Sequence, residues 1–548
     1  MTDHADLLFR GGPVFRADPA RTRASAVAVR GERILAVGAD LDELVGPRTE
    51  VVELAGRMLL PGFQDSHVHP VQGGLELGRC WLGEAAGAAG CLDVIRAYRE
   101  EHPEVDWLLG GGWSMSDFPG GTPTAAMLDT VTGDLPAFLP NRDGHGAWVN
   151  SAALRRAGIT RDTPDPADGR IERLPDGSPS GTLHEGAMRL VEDHVPDPTP
   201  EEMRQGLLTG QAYLHGLGIT GWQDAIIGPF SSLPDPGPTY AAAAADGSLT
   251  GRVVGALWWD RERGLEQIPE LVERRAALTG GRFRATSIKI MQDGVAENFT
   301  AAMLTPYLDG HAHPTGNAGI SFVEPTLLKE AVTRLVELDF QVHFHAIGDR
   351  AVRECLDAVE AARAVHGPDD LRHHIAHIQV IHPDDVPRFR QLQVAANMQA
   401  LWACMEPQMA ELTIPFLGDE RAAWQYPFGD LLRTGATLVM GSDWSVSTPD
   451  PLAAIHVAVN RAAPPEEVEM EAGPFLPDQA LDLGTCLAAY TAGSAWVNHH
   501  DETGTIAPGM LADLALLDRD PFAHPAEEIA HTRPVATWVG GERVWGEP

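Results

Sequence analysis

Lys289 is the residue whose type and setting point first to chemistry. Of the 41 Lys+Arg residues only Lys289 and Lys329 are lysine, and the remaining 41 − 2 = 39 are arginine. Lys329 lies in a polar helical stretch, 326–330. Lys289 lies in an apolar run, Ser287-Ile288-Lys289-Ile290-Met291, where an ammonium is costly to bury. Arginine keeps its proton in a protein, whereas a buried lysine can lose it and expose a nucleophilic amine. A neutral lysine amine takes up carbon dioxide to give a carbamate, a carboxylate-like group able to bridge two metal ions.

Imidazoles and a carboxylate recur at the ends of other apolar runs: His67-Val68-His69, His343-Phe344-His345, His377 and Gly441-Ser442-Asp443. Alternate residues of a strand face one side, so His67 and His69 can converge on one point. Such a donor set suits zinc or a similar divalent ion. The same alternation sets His343 one layer below His345, and His373 below His377.

Elements must hold these groups. Eight short apolar runs are spaced along the chain, at 59–69, 218–224, 252–258, 287–291, 341–345, 375–380, 394–398 and 437–443. Most are separated by stretches with room for a helix, such as 331–338 and 351–362, the second with Asp349 as a helix start. Eight βα units predict a TIM-type (β/α)8 barrel with its active site at the C-terminal mouth. Both ends of the chain read as strands, with a hairpin signal at Arg30-Gly31-Glu32-Arg33. They predict a small β-sandwich domain built from both termini, 1–60 with 501–548, beside a barrel over 61–500. The gap at about 75–215 exceeds a simple crossover and predicts a large insertion after strand 1, overhanging the mouth.

Charge and composition narrow the function. The formal charge of −36 and pI near 4.9 disfavour nucleic acid and anionic membranes. No apolar run is long enough to span a bilayer. Residues 1–6 lack the basic region of a signal peptide, and five scattered cysteines without CxxC spacing predict neither a disulfide framework nor a thiolate zinc site. The expected location is the cytoplasm and the expected partner a small-molecule substrate; a homodimer is left open.

The motif 60–69, Leu-Pro-Gly-Phe-Gln-Asp-Ser-His-Val-His, resembles the first signature of the amidohydrolase superfamily, closest to the amidohydrolase-3 branch of YtcJ-like and N-substituted formamide deformylase-like proteins. Further matching motifs are Gly110-Gly111-Gly112-Trp113, Asn141-Arg142-Asp143-Gly144-His145, Gly181-Thr182-Leu183-His184-Glu185, 344–351, 441–444 and 508–514. The resemblance implies two divalent metal ions, zinc by expectation. His67, His69 and Asp443 would hold one ion and His345 and His377 the other, bridged by N6-carboxylated Lys289 and a water-derived hydroxide. It further implies hydrolysis of a non-peptide carbon–nitrogen bond: an amide, an N-substituted formamide or a cyclic amide. Two metals would bring the water's pKa toward neutrality, and Asp443 would take its proton and deliver it to the leaving nitrogen.

The insertion should supply substrate contacts. Trp113 is read as a cover over the site or as a core tryptophan. His145 is read as a donor to the substrate or developing oxyanion. Arg142 and Asp143 contact substrate or form a local salt bridge. Glu185 faces the substrate or supports a neighbour, and Asp293-Gly294 shapes its loop. Two rival readings are a mononuclear deaminase of an amino-substituted ring and a non-catalytic metal-binding regulatory barrel.

Overall fold

The computed structural model describes residues 4–83, 85–230, 233–465, 468 and 472–548. Residues 1–3, half of the stretch that carries the signal-peptide reading, lie outside them. The centre is a barrel of eight parallel strands: β1 (Phe63–Val68), β2 (Ile219–Ile227), β3 (Arg252–Trp258), β4 (Phe283–Met291), β5 (Gln341–Ala346), β6 (His374–His377), β7 (Ala395–Met398) and β8 (Leu438–Met440). The hydrogen-bonded ladder runs from β1 to β8 in chain order. Each apolar run of the sequence supplies one strand of the barrel. These strands read as continuous hydrophobic stretches because helices cover their outer face. The helix Pro325–Glu337 connects β4 to β5, and Asp349–His366 connects β5 to β6.

The seam between β8 and β1 is closed by specific bonds. Ser66 Oγ donates to the Met440 carbonyl at 2.7 Å, and the Asp443 amide donates to the His67 carbonyl at 2.7 Å. The buried Asp65 carboxylate accepts the amides of His67 and Ser442. Gly441 makes this approach feasible, since a Cβ there would lie 2.6 Å from the His67 nitrogen. The seam thus locks two future site residues, His67 and Asp443, to one another through their backbones.

Both chain ends join one connected sheet, in the order Glu542–Gly546, Pro534–Val539, Leu514–Leu517, Leu59–Pro61, Leu7–Phe15, Arg23–Arg30 and Arg33–Gly38, with Glu50–Glu53 beside Leu7–Phe15. Phe9 packs edge-on against Trp538 in its core. The first apolar run therefore serves two sheets: Leu59–Pro61 belongs to this one, and after Gly62 the chain enters β1. The stretch between β1 and β2 holds a further six-stranded sheet, of which Gly146–Val149 and Pro179–Glu185 lie next to each other. All five cysteines are buried. Among the described residues no helix is long and apolar enough to cross a membrane.

Candidate metal centre and active site

The mouth of the barrel gathers the expected donors. His67 Nε2 and His69 Nε2 each lie 3.0 Å from Asp443 Oδ1, and Lys289 Nζ lies 3.4 Å from His67 Nε2. His377 Nδ1 is 3.8 Å from Asp443 Oδ2, and the rings of His345 and His377 are 4.4 Å apart. Among the described residues His67, His69 and Asp443 form a group whose ligand atoms all fall within 4.8 Å; His345, His377 and Lys289 border it. His377, Asp443 and Glu185 carry left-handed backbone, with φ of +76°, +58° and +50°. Non-glycine residues take up this conformation at a cost of about 1–3 kcal/mol, usually where function requires it.

Burial decides the charge of this set. It drives His345 and His377 well below the usual histidine range and His67 to about 3, so these rings are neutral, as metal ligands must be. Burial also lowers Lys289 to about 7, so a large share of the amine is neutral near physiological pH.

The layer beneath fixes which nitrogen of His67 holds its proton. Gln341 Nε2 donates to the carbonyls of Arg372 and Val497, leaving its Oε1 as an acceptor. Gln223 Nε2 donates to that Oε1 at 3.0 Å, so Gln223 Oε1 accepts, taking His343 Nδ1–H at 2.6 Å and His374 Nε2–H at 3.1 Å. His343 Nε2 is then a lone pair that receives His67 Nδ1–H at 2.8 Å. His67 Nε2 is consequently a lone pair, with the Lys289 amine at 3.4 Å and a carboxylate oxygen at 3.0 Å. Two electron-rich atoms at that distance call for a cation between them, and among the described residues His377 Nδ1 is buried without a hydrogen-bond partner. The donor set therefore fits a divalent ion.

Strand alternation sets the deeper histidine of β6 incorrectly. The ring under the metal layer is His374, 4.0 Å from that of His343, while His373 Nδ1 accepts the Val342 amide. The left-handed backbone at His377 breaks the two-residue period, so parity counted back from His377 selects the wrong neighbour.

The insertion reaches the mouth through one pair. His145 Nδ1 bonds Glu185 at 3.0 Å, and Glu185 also accepts Thr300 Oγ1 at 2.6 Å. Burial alone would lower His145, but the charge and hydrogen bond of Glu185 outweigh it and hold His145 up to about 9. Glu185 is lowered in turn, the His145 cation overcoming its burial. Asn298 Nδ2 donates to the His145 carbonyl, tying the loop after β4 to the insertion. Arg142 pairs with Glu406 at 3.2 Å. Asp143 accepts the His145 amide and lines the cavity.

Trp113 does not reach the site. It is 1% exposed, donates Nε1–H to the Leu139 carbonyl and packs edge-on against Phe118 and Trp148 in the core of the insertion. Its indole is consumed by that core, so it is no cover. Asp293 accepts the amides of Ala302, Ile347 and Gly348 and shapes its loop.

A cavity of about 400 Å³ opens over the donors, with Phe230, Trp258 and Arg261 on its outer wall. A second space of about 70 Å³, sharing His345, His377 and Asp443, is lined by Val295, Tyr426 and Glu297. Sequence reading missed Gln223 and Asn397, which orient the histidine layers. The available signal was a lone amide within an apolar barrel run, since a buried amide needs partners.

Residues 50–545 match the model described as the amidohydrolase family. The chain belongs to this family. It is 31% identical to the protein LONG AFTER FAR-RED 3 of Arabidopsis thaliana, over 99% of this chain and 92% of that protein. It is 26% identical to the N-substituted formamide deformylase of Arthrobacter pascens, over 99% of this chain and 98% of that one. Among solved structures, an uncharacterized metal-dependent hydrolase from Pyrococcus horikoshii shares the fold with a TM-score of 0.72 and 23% identity, covering 95% of this chain and 99% of that one. Membership of the amidohydrolase family makes metal-dependent hydrolysis the general chemistry of this site.

Proposed function

We propose that this amidohydrolase cleaves a non-peptide carbon–nitrogen bond in a small molecule: an amide, an N-substituted formamide or a cyclic amide. His67, His69 and Asp443 would hold one divalent ion and His345 and His377 a second, zinc by expectation, with Lys289 as a carbamate between them. The observation that carries this reading is the His67 Nε2 lone pair facing Asp443 Oδ1 at 3.0 Å, with the Lys289 amine 3.4 Å away. When bound, the ions would acidify water and polarise the scissile carbonyl.

The chain's own residues supply the remainder. Asp443 Oδ2 makes no hydrogen bond among the described residues and would take the proton of the attacking water, then return it to the leaving nitrogen. His145, kept cationic by Glu185, has its Nε2–H free to donate to the developing oxyanion. Asp143 borders the substrate space, with Arg142 behind it.

The test is metal analysis with a panel of formamides, simple amides and cyclic amides, assayed with and without chelator. Two ions per chain and chelator-sensitive amide hydrolysis are expected. Chelator-resistant turnover would remove the metal assignment, and turnover of none of the panel would remove the substrate class. One observation favours a second reading: the three residues His67, His69 and Asp443 alone satisfy a single-ion spacing. A mononuclear deaminase would bind one ion and release ammonia from an amino-substituted ring.

A further inference from the structure

The smaller space beside the metal donors has a charge balance of its own. It opens at His345, His377 and Asp443 and lies among the loops that follow β4, β6 and β7. With Asp443 set aside as an ion ligand, its wall carries three acids, Asp143, Glu297 and Glu406, and two bases, Arg142 and His145. Glu406 pairs with Arg142 at 3.2 Å. His145 bonds Glu185, which stands outside this wall, at 3.0 Å. Asp143 accepts the His145 amide and also acts on the His145 ring as a charge. Glu297 is left over. Among the described residues it makes no ion pair, and its Oε1 accepts the Thr413 hydroxyl. Burial first, then the charges of Asp143 and Glu406, raise it to about 7, as befits an acid short of a positive neighbour.

Two further side chains in this wall are more than nine-tenths buried and have an unused acceptor. Gln379, 4% exposed, donates Nε2–H to Gln425 Oε1 at 3.0 Å, and among the described residues its own Oε1 receives no hydrogen bond. Gln425 gives its Nε2–H to the Ala422 carbonyl, which fixes that direction. Tyr426, 2% exposed, has a hydroxyl without a hydrogen-bond partner among the described residues. Val295, Ile347 and Met409 supply apolar wall, and Trp402 lies against the His377 ring. A carboxylate without a counter-ion, an amide oxygen and a phenol oxygen, set among apolar and aromatic groups, suit a desolvated ammonium.

We propose that this pocket holds a primary ammonium on a short arm of the substrate, with Glu297 as its counter-ion and Gln379 and Tyr426 as further acceptors. This rests on the placement of the scissile group over the ion ligands, and it narrows the substrate to amides with an amine a few bonds from the cleaved carbon–nitrogen bond. A space of about 70 Å³ holds roughly two water-sized groups at ~30 Å³ each, so the arm is short.

Titration calorimetry of the metal-loaded protein with n-propylammonium, 1-propanol, β-alanine and propionate tests this. Saturable millimolar binding of n-propylammonium is expected, with none for 1-propanol. Binding of β-alanine at least tenfold tighter than that of propionate assigns the arm to the acyl half; n-propylammonium binding without that gain assigns it to the amine half. Glu297→Gln should weaken n-propylammonium at least tenfold. Tyr426→Phe, which removes only a hydroxyl, should weaken it about threefold and decides if Glu297→Gln fails to fold. The proposal is overturned if n-propylammonium does not bind, if 1-propanol binds as well, or if Glu297→Gln leaves binding intact, as ligation of an ion by the amine would. Chelator-sensitive hydrolysis of neutral amides without ammonium binding removes this pocket's role and keeps the metal reading. Ammonium binding that depends on Glu297, in a protein without such hydrolysis, keeps the pocket and removes the hydrolase reading.

Discussion

Two adjacent layers of histidine occupy the barrel and have opposite fates. In the lower layer His343 and His374 have both ring nitrogens engaged, by Gln223 and His67 in one case and by Gln223 and Asn397 in the other. In the upper layer, among the described residues, His377 Nδ1 has no hydrogen-bond partner, and His345 Nε2 has the Gly294 carbonyl at 3.4 Å with Asp293 Oδ1 at 3.7 Å. Both layers are buried, and burial depresses all four rings. The separating variable is therefore neither residue type nor burial. It is whether the protein supplies a partner for each nitrogen. Where it does, histidine is architecture. Where it withholds one, the ring is available to an ion.

The largest effect should come from the residue between the layers. Lys289→Ala and Lys289→Arg should each lower kcat/KM by about a thousandfold or more, a loss of roughly 4 kcal/mol of transition-state stabilisation, and reduce bound metal. Added short carboxylic acids should partly restore Lys289→Ala only. Near-normal turnover by Lys289→Arg would contradict the carbamate.

Next, His377→Ala should lower metal content with little loss of thermal stability, while His374→Ala should do the reverse. The second variant removes one buried hydrogen bond from each of Gln223 and Asn397 and should cost about 1–3 kcal/mol. Metal analysis and melting curves read the two effects separately. Equal metal loss in both variants would erase the distinction between the layers.

A smaller change concerns the pair from the insertion. His145 is raised from 6.5 to about 9. Its protonated form therefore stabilises the fold fully below about pH 6.5, and that contribution is lost as pH rises through about 9. Activity that needs the cation should fall over the same upper range. In Glu185→Gln both declines should move to lower pH, since the main charge that offsets burial of His145 is then gone, Asp143 and Asp443 acting less strongly. An unchanged alkaline limb in the pH profile would exclude His145 from the reaction.

The smallest effect is predicted at Trp113. Trp113→Phe should leave KM unaltered and cost about 1 kcal/mol through the lost bond to Leu139, visible only as a lower Tm. A raised KM would return Trp113 to the substrate space.

The strands of the barrel were legible because each is an apolar run between helical stretches, and the histidines were legible because they end those runs. What stayed hidden depends on breaks in periodicity and on long-range pairing. The left-handed turn at His377 leaves no mark in the spacing of residues 373–377, so His374 was passed over for His373. Trp113 carries the same letter whether it caps a pocket or fills a core; only its neighbours Phe118 and Trp148, brought in by the sheet of the insertion, decide. Gln223 and Gln341 are 118 residues apart, and nothing local announces that one orients the other.

The sheet built from both ends has a consequence for biosynthesis. Leu59–Pro61 needs Leu514–Leu517 as a neighbour, so this edge waits unzipped on the ribosome while some 450 intervening residues emerge. Exposed edges of that kind invite adventitious pairing. Completion of the barrel cannot shield this one, because its cognate strand is translated after β8. A truncated product lacking the final segment should accordingly be captured by chaperones or aggregate, even with every ion ligand already synthesised.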